Sequence, residues 1–181
     1  MKKYFFFFTL LVLISACHKD NSHVFSKNKV GELTGKMTPE EVRATLKNEN
    51  LLDLKKVSGI VDQSIMEVTD EKTGRKQMIL IFQPGKDTLE LYAVEIVSPS
   101  FRSNKGMGLK NNFEQWRKNH RIKRAEKTLR HVVVYVDDLN AILEFNNEDL
   151  VDQARNKTLS EADIDWIQKD ATPRRIILFM N

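Results

Sequence analysis

The chain has 181 residues, with 29 lysines and arginines against 25 aspartates and glutamates, which gives a formal net charge of +4 at pH 7. This length is enough for one well-cored domain or for two small packed repeats. The overall charge does not require a nucleic-acid partner, because nucleic-acid-binding domains concentrate a larger positive charge on one surface.

Residues 1–17 have the pattern of an export signal. Lys2 and Lys3 precede an apolar run that is too short to span a bilayer, and small residues follow it. The last four residues, Ile14-Ser15-Ala16-Cys17, resemble a lipobox, the signal of bacterial lipoproteins. The resemblance implies that residues 1–16 are a lipoprotein signal peptide, and that Cys17 becomes the acylated N-terminus with a diacylglyceryl thioether on its sulfur. The alternative is an ordinary signal peptide followed by a chance cysteine, but the only cysteine of the chain lies where a lipobox requires it.

Cleavage before Cys17 changes what the composition implies. It leaves 165 of the 181 residues, and it removes Lys2 and Lys3, so that 27 basic residues face 25 acidic ones and the net charge falls to +2. A lipidated sulfur leaves no thiol, which excludes disulfides, cysteine-ligated metals and cysteine catalysis within one chain. Four of the ten phenylalanines lie in the signal peptide, so the mature core depends on valine, isoleucine and leucine, which favours a β-rich fold.

Residues 17–29 are polar and have no sustained apolar period, so we expect a flexible tether there. A first α+β repeat is predicted over 30–98. It begins with a helix from Thr38 to about Asn48, because Thr38 is a good N-cap, Pro39 suits the first helical position and Glu41 completes a capping box.

The pattern then changes to a period of two. It predicts strands at 55–60, 64–69, 77–82 and 89–97. Turn residues at 70–74 and 84–87 separate the later strands, so we expect an antiparallel meander.

Residues 99–110 contain a proline and two glycines and are predicted to be a linker. A second α+β repeat over 111–181 is predicted to begin with a helix that starts near Asn111 or Asn112, with Glu114 completing an asparagine cap. Strands at 131–136 and 141–145, a short helix opened by Thr158-Leu159-Ser160-Glu161, and a last strand over 174–180 follow. The shared order predicts an α+β fold of two helix-plus-antiparallel-sheet repeats that form one antiparallel sheet, with the helices packed on one face.

Two segments carry a resemblance to known families. The run Gly35-Lys36-Met37-Thr38-Pro39-Glu40-Glu41-Val42 resembles the Gly-Met-Thr-x-x-x-Val helix start of SmpA/OmlA-type outer-membrane lipoproteins, although Lys36 interrupts the Gly-Met pair. Those proteins belong to the machinery that assembles outer-membrane barrels. A tandem unit of this kind resembles the β-lactamase-inhibitor-protein fold, and the segment 98–109 resembles a linker of Bacteroidetes lipoproteins. The resemblance implies a concave antiparallel sheet and a role in binding other proteins, but it carries over no contact residue.

No catalytic residue, cofactor site or metal site is predicted. The four histidines have no zinc-site spacing. A Ser-x-x-Lys match at 26–29 and the Lys-Thr-Gly at 72–74 are chance matches to penicillin-interacting enzymes, because the first lies in the predicted tether and the second in a turn. The acids at 137–140 fit a hairpin turn better than half of a calcium loop. Since no nucleophile–base pair is visible, we expect that the protein is not an enzyme.

Residues 117–130 are the strongest anomaly, with seven basic residues and a single acid, Glu126. The basic residues are Arg117, Lys118, Arg121, Lys123, Arg124, Lys127 and Arg130. A solvated helix end and connector is the simpler interpretation, since cations are favoured near a helix C-terminus. The functional interpretation is a surface that contacts lipid phosphates, lipopolysaccharide or an acidic partner.

The sequence therefore predicts a non-catalytic lipoprotein, anchored in the membrane through acylated Cys17, that acts as a protein-binding or envelope-assembly module. The alternatives are an inhibitor or immunity-type lipoprotein, and a module that binds a small ligand or the cell wall. We expect a protein partner in the cell envelope and no nucleic acid. Enterobacterial lipoproteins that stay in the inner membrane have an aspartate directly after the cysteine, and here that residue is His18, so the outer membrane is favoured. The sequence does not indicate in which leaflet the protein is anchored.

Overall fold

A computed structural model describes residues 22–47, 49–57, 63–155 and 161–181. In these residues the fold is mainly β with a few short helices, and it contains a large antiparallel sheet and a small mixed sheet. The expected α+β class gave too much weight to the helices, because α1 (Pro39–Thr45) and α2 (Phe113–Asn119) have only seven residues each. No helix within the described ranges is long and apolar enough to cross a membrane.

The large sheet has ten strands in the described part of the chain. They are β4 (Asn50–Leu51), β5 (Lys55–Val57), β6 (Gln63–Thr69), β7 (Lys76–Pro84), β8 (Leu89–Ile96), β10 (Ile122–Lys127), β11 (His131–Val136), β12 (Ala141–Asn146), β13 (Glu161–Ala162) and β14 (Arg175–Phe179). The small sheet contains β1 (Val24–Ser26), β2 (Lys29–Val30), β3 (Leu33–Thr34) and β9 (Arg102–Ser103). A third α-helix, α3, covers Asp152–Arg155, and 3-10 helices cover Asn147–Asp149 and Ile164–Trp166.

The strand order of the large sheet is β13-β10-β11-β12-β14-β8-β7-β6-β4, and β5 also pairs with β6. All of these pairs are antiparallel. The last strand of the chain, β14, lies beside β8 in the middle of the sheet, where Leu178 pairs with Val94. The predicted strands at 64–69, 77–82, 89–97, 131–136, 141–145 and 174–180 are thereby confirmed to within two residues at each end.

Capping decides where both seven-residue helices begin. The Thr38 Oγ1 accepts a hydrogen bond from the Glu41 backbone N at 3.2 Å, and the Glu41 carboxylate accepts one from the Thr38 backbone N at 2.8 Å, so the predicted capping box is confirmed. At α2 the cap is Asn112, one of the two asparagines that the sequence offered, and its reciprocal partner is Gln115 and not Glu114. The reason is that a capping box closes three residues after the cap, where the backbone N–H points back at it.

The predicted tether over 17–29 is wrong for residues 22–29. Phe25 is fully buried, and its strand β1 pairs with β2 and, in parallel, with β9. The strand β9 comes from the predicted linker over 99–110, so that segment is also folded into the small sheet. Residues 17–21 lie outside the described residues. The mostly polar composition of this segment led to the tether prediction, although its one aromatic side chain inserts into the core.

The structure of the basic residues 117–130 also differs from the predicted helix end and connector, because the strand β10 occupies Ile122–Lys127. Ala125 is buried opposite Val134, whereas the charged neighbours of Ala125 are partly or fully exposed. The predicted cap at 158–161 lies largely outside the described residues. From Glu161 onwards the chain forms β13 and then the 3-10 helix Ile164–Trp166 in place of the predicted short helix.

One face of the large sheet is the core. Its buried side chains recur at every second position, as the strand geometry requires. They include Met66, Val68, Leu80, Phe82, Val94, Ile96, Val132, Val134, Leu143, Phe145, Ile176 and Leu178. Val42 of α1, Phe113 and Trp116 of α2 and Phe25 of β1 belong to the same buried cluster. The opposite face of the large sheet therefore carries the alternate positions of the same strands.

Candidate functional site: the open face of the large sheet

We call this opposite side the open face. It is formed by the side chains that alternate with the core positions from β6 to β10 across the middle of the sheet. Its apolar members are all half-buried, so each keeps part of its surface in solvent. They are Ile65, Ile79, Ile81, Tyr92, Val133, Tyr135, Ile142, Ile177 and Phe179. None of them belongs to the buried core cluster.

The register places these side chains on neighbouring strands, and Glu95 lies between Ile177 and Ile79. Tyr135 pairs with Ile142, and Ile142 pairs in turn with Ile177 on β14. Phe179 of β14 lies against Tyr92 of β8, with ring centroids 5.7 Å apart. With strands about 4.8 Å apart, six strands from β11 to β6 span about 24 Å. An apolar surface of that width is large enough to form the centre of a protein–protein contact.

An ion network occupies the middle of the open face. The Arg175 guanidinium reaches Glu95 on β8 (Nε to Oε1, 2.8 Å) and Glu144 on β12 (Nη1 to Oε2, 3.4 Å). The hydrogen bond to Glu95 is the main reason that the pKa of Arg175 is raised. The side chains of Glu95 and Glu144 are only 13% and 9% exposed. These carboxylates therefore face a cation within the sheet, and little of their own surface reaches solvent.

A second polar contact lies at the β10 edge of the open face. The Arg124 guanidinium lies over the Tyr135 ring, 4.2 Å from its centroid. The Tyr135 hydroxyl donates a hydrogen bond to Glu126 at 2.9 Å. Burial, followed by this contact with Glu126, raises the pKa of Tyr135. Of the predicted basic residues, Arg124 is thus the one that borders the open face.

The other predicted basic residues are distributed over several contacts. Arg117 pairs with Asp165 at 2.7 Å, Lys118 pairs with Glu114 at 3.1 Å, and Arg121 pairs with Asp137. Lys127 donates to the backbone carbonyls of residues 154 and 155. Lys123 and Arg130 are exposed. Tertiary contacts therefore bring carboxylates from other segments to cations that look uncompensated in the sequence.

The sequence interpretation missed a buried chain of polar groups on the core side. The Ser103 Oγ lies 2.8 Å from His120 Nε2, and His120 Nδ1 lies 3.0 Å from the Asp138 carboxylate. Lys105 donates to the same carboxylate at 2.8 Å. Burial is the largest effect on His120 and lowers its pKa, against the raising effect of Asp138. No sequence motif signals this network, because its members lie on a loop, the end of a helix and a hairpin turn.

The order Ser–His–Asp is that of a hydrolase triad, but the surroundings differ. Ser103 and His120 are each only 3% exposed. The Ser103 Oγ also accepts hydrogen bonds from the backbone N of Lys105 at 3.2 Å and of Met107 at 3.1 Å. With its lone pairs used and its surface covered, this oxygen cannot approach a substrate carbonyl in this conformation. The network instead ties the 103–107 loop to the end of α2 and to the β11–β12 turn.

Among the residues that the structure describes, no group of three His, Cys, Asp or Glu side chains could hold a metal ion. Cys17, the predicted lipidation site, lies outside the described residues.

No protein-family model matches the chain, and a search of curated proteins gives no significant match. Among solved structures, the chain is similar to the crystal structure of the uncharacterized protein YfeY from Escherichia coli, with a TM-score of 0.54 and 11% sequence identity. The similarity covers 87% of this chain and 97% of that chain. At this identity the similarity concerns the fold alone.

Proposed function

We propose that the protein is a non-catalytic lipoprotein, anchored in the cell envelope through acylated Cys17, that binds a protein partner with the open face of its large sheet. The partner we expect is a folded protein that presents an aliphatic or aromatic protrusion. The anchor would hold the protein at a membrane, for which the outer membrane is favoured, and the proposal does not specify the leaflet.

The observation that carries the proposal is the group of half-buried apolar side chains that surrounds the ion network on the open face. A sheet that faces only water normally alternates apolar positions on the core side with polar positions on the other. Here Ile142, Ile177 and Ile79 occupy that outer side on three different strands. Contiguous exposed apolar surface of this kind is typical of sites that bind another protein.

The strand order supports a duplicated architecture behind this surface. In the first half α1 precedes β5, β6, β7 and β8, and in the second half α2 precedes β10, β11, β12 and β14. The last strand of each half meets the other at the centre, where β14 and β8 are antiparallel. We infer two helix-plus-sheet units related by a local two-fold axis, which is consistent with the expected resemblance to proteins that bind partners on one broad sheet.

The absence of catalysis is supported by the burial of Ser103 and by the two backbone hydrogen bonds that its Oγ accepts. An inhibitor or immunity-type lipoprotein remains a second candidate. Aromatic residues near the centre of the sheet favour it, because Tyr92 and Phe179 lie edge to face there and tyrosine is enriched in interface hot spots.

The test is site-specific photo-crosslinking in cells with the full-length chain. A photoreactive side chain replaces Ile142 on the open face in one variant and Lys86, exposed on the β7–β8 turn, in a control. We expect one discrete protein adduct from position 142 and none from position 86. Adding Ile177→Asp should abolish that adduct without lowering the amount of protein.

The identity of the adduct separates the two candidates. A membrane or assembly protein supports the envelope-binding function, whereas a toxin or a hydrolase supports the inhibitor function. Equal labelling from positions 142 and 86, or an adduct that survives Ile177→Asp, would contradict a role for the open face.

A further inference from the structure

A second surface lies where the described chain begins, apart from the open face. A groove of about 570 Å³ borders His23 and extends along the β6–β7 turn and the segment after β8. Four basic side chains line it: Arg75, Lys76, Arg102 and Lys110. Asp70 is the single acid in its lining. None of the seven basic residues singled out in the sequence contributes to it.

Most of this positive charge is uncompensated. Arg75 and Lys110 are exposed, and neither forms an ion pair among the described residues. The Arg102 guanidinium donates to the Phe101 carbonyl at 2.7 Å and to the Pro99 carbonyl, so it is held in place without meeting a carboxylate. Of the four cations, only Lys76 has an ion pair, at 2.9 Å from Glu67.

The groove also contains hydroxyl groups and one carboxylate, Asp70, which offsets part of the positive charge. The Asp70 carboxylate accepts hydrogen bonds from the backbone N and the hydroxyl of Thr73, at 2.7 and 2.6 Å, so it is used to close the turn. Ser98 and Ser100 add two hydroxyls, 2.8 Å apart, to the lining. Cations joined by hydroxyl donors form a surface suited to phosphate oxygens.

The position of the groove identifies the source of those phosphates. One edge of the large sheet, at the ends of its strands, contains the β6–β7 turn, the end of β8 and the start of β14. These elements lie together because Val68 pairs with Met78 and Ile176 pairs with Ile96. His23 lies at the same edge, beside Ser22, where the described chain begins. Ser22 lies five positions after Cys17, and an extended chain of that length reaches at most roughly 18 Å. A lipid on Cys17 would therefore hold this edge close to the bilayer surface.

We infer that the groove binds the phosphate groups of anionic membrane lipids and turns this edge of the sheet towards the bilayer. The inference rests on the proposed lipid anchor for its choice of ligand. In that orientation the strands run away from the membrane, and the open face stays accessible from the side. The anchor then fixes the distance of the domain from the membrane, and the groove fixes its orientation.

The test uses the complete mature chain from residue 17 with Cys17→Ser, so that no acyl chain contributes to binding. Co-sedimentation is measured with vesicles of phosphatidylcholine alone and of equal parts phosphatidylcholine and phosphatidylglycerol. The groove variant is Arg75→Glu with Lys110→Glu. The matched control is Lys56→Glu with Lys86→Glu, which makes the same change in net charge with two residues that are exposed at the opposite edge.

We expect binding to the phosphatidylglycerol vesicles only, weakened by added salt. The groove variant should bind roughly 10- to 30-fold more weakly, because each basic side chain near an anionic surface contributes substantially to the attraction. The control should bind within about twofold of the parent chain, since its substitutions lie beyond a Debye length from the groove edge.

Three results would overturn the inference: no preference for the anionic vesicles, an equal loss in the groove variant and the control, or displacement from the vesicles by millimolar inorganic phosphate. The last result would indicate a site for free phosphate. The mass of the N-terminal peptide from membrane-extracted protein reports acylation of Cys17 separately, so the anchor and the groove can fail independently.

Discussion

Arg175 and Glu95 form a two-point ion pair across the junction of β14 and β8, with Nε–Oε1 and Nη2–Oε2 distances of 2.8 and 2.5 Å. In the sequence β8 lies near the middle of the chain and β14 near its end, and the two strands meet at the centre of the sheet. A paired geometry of this kind is both strong and directional. It aligns β14 with β8 on the face that we propose as the binding surface.

Replacing Arg175 by alanine should lower the free energy of unfolding by about 2–3 kcal/mol, because Glu95 and Glu144 would lose their shared cation while remaining largely buried. Urea denaturation measures the change. The control is Arg174→Ala, since Arg174 is 45% exposed and contacts only Glu144 among these carboxylates; its loss should cost less than about 1 kcal/mol. Equal effects of the two substitutions would contradict a structural role for the central network.

Phe25→Ala should destabilise the fold by about 3–5 kcal/mol, because Phe25 is fully buried and its removal leaves a cavity in the core. The neighbouring Val24 is half-buried and alternates with Phe25, so Val24→Ala should cost much less. Thermal unfolding of both variants provides the measurement. If Phe25→Ala left the stability unchanged, residues 22–29 would be better described as the flexible tether that the sequence predicts.

Gly35→Ala should destabilise the protein by roughly 2 kcal/mol or more, since the new methyl group would overlap backbone that cannot easily move. A Cβ at Gly35 would lie 1.5 Å from the carbonyl oxygen of Met180. The matched control is Gly74→Ala in the β6–β7 turn, where φ is +66° and no atom lies within 4 Å of the added Cβ. That substitution should cost only the conformational strain of about 1–2 kcal/mol. A smaller loss at Gly35 than at Gly74, measured by chemical denaturation, would argue against this close packing.

Stability should depend on the protonation of His120. The pKa of this residue is lowered by burial from its ordinary value of 6.5, so the unfolded chain binds its proton at a higher pH than the folded chain does. The contribution is therefore fully present above pH 6.5 and is lost as the pH falls through 6.5 towards the lower folded pKa.

His120→Asn removes that titration. We expect the variant to be less stable at neutral pH, because the hydrogen bonds to Ser103 and Asp138 are lost or weakened. Its free energy of unfolding should nevertheless fall less than that of the parent chain between neutral and mildly acidic pH. Denaturation curves at several pH values test this, and parallel pH profiles for the two proteins would refute the assignment.

Several local features were predictable because their causes are local. The capping box of Thr38 and Glu41 depends on residues three positions apart, and the run His131–Val136 has the β-branched composition of a strand. The Asn112 cap was predictable for the same reason, although its partner was assigned one residue too early. The strands β1 and β10 were not predicted, because each has a single buried side chain, Phe25 or Ala125, and one buried position gives no periodic signal.

The candidate sites could not be predicted from the sequence, because they depend on which strands and loops the fold brings together. The open face could not be identified from the sequence. An apolar run does not show which side of its strand is covered by other elements and which stays exposed. The pairing of β14 with β8 places Phe179 beside Ala93, which pairs in turn with Ile81 of the first half. The Ser103–His120–Asp138 network and the basic groove likewise unite residues from separate elements.

By itself the sequence indicated where α1 and α2 begin and six of the seven described strands that have five or more residues, because capping and side-chain alternation depend on neighbouring residues. The lipobox likewise predicts lipidation at Cys17 from neighbouring residues. Only the tertiary structure decided which acids neutralise the 117–130 cations, which side of the sheet stays open and where uncompensated positive charge collects. Those properties depend on distances between residues far apart in the chain, and strand pairing sets these distances.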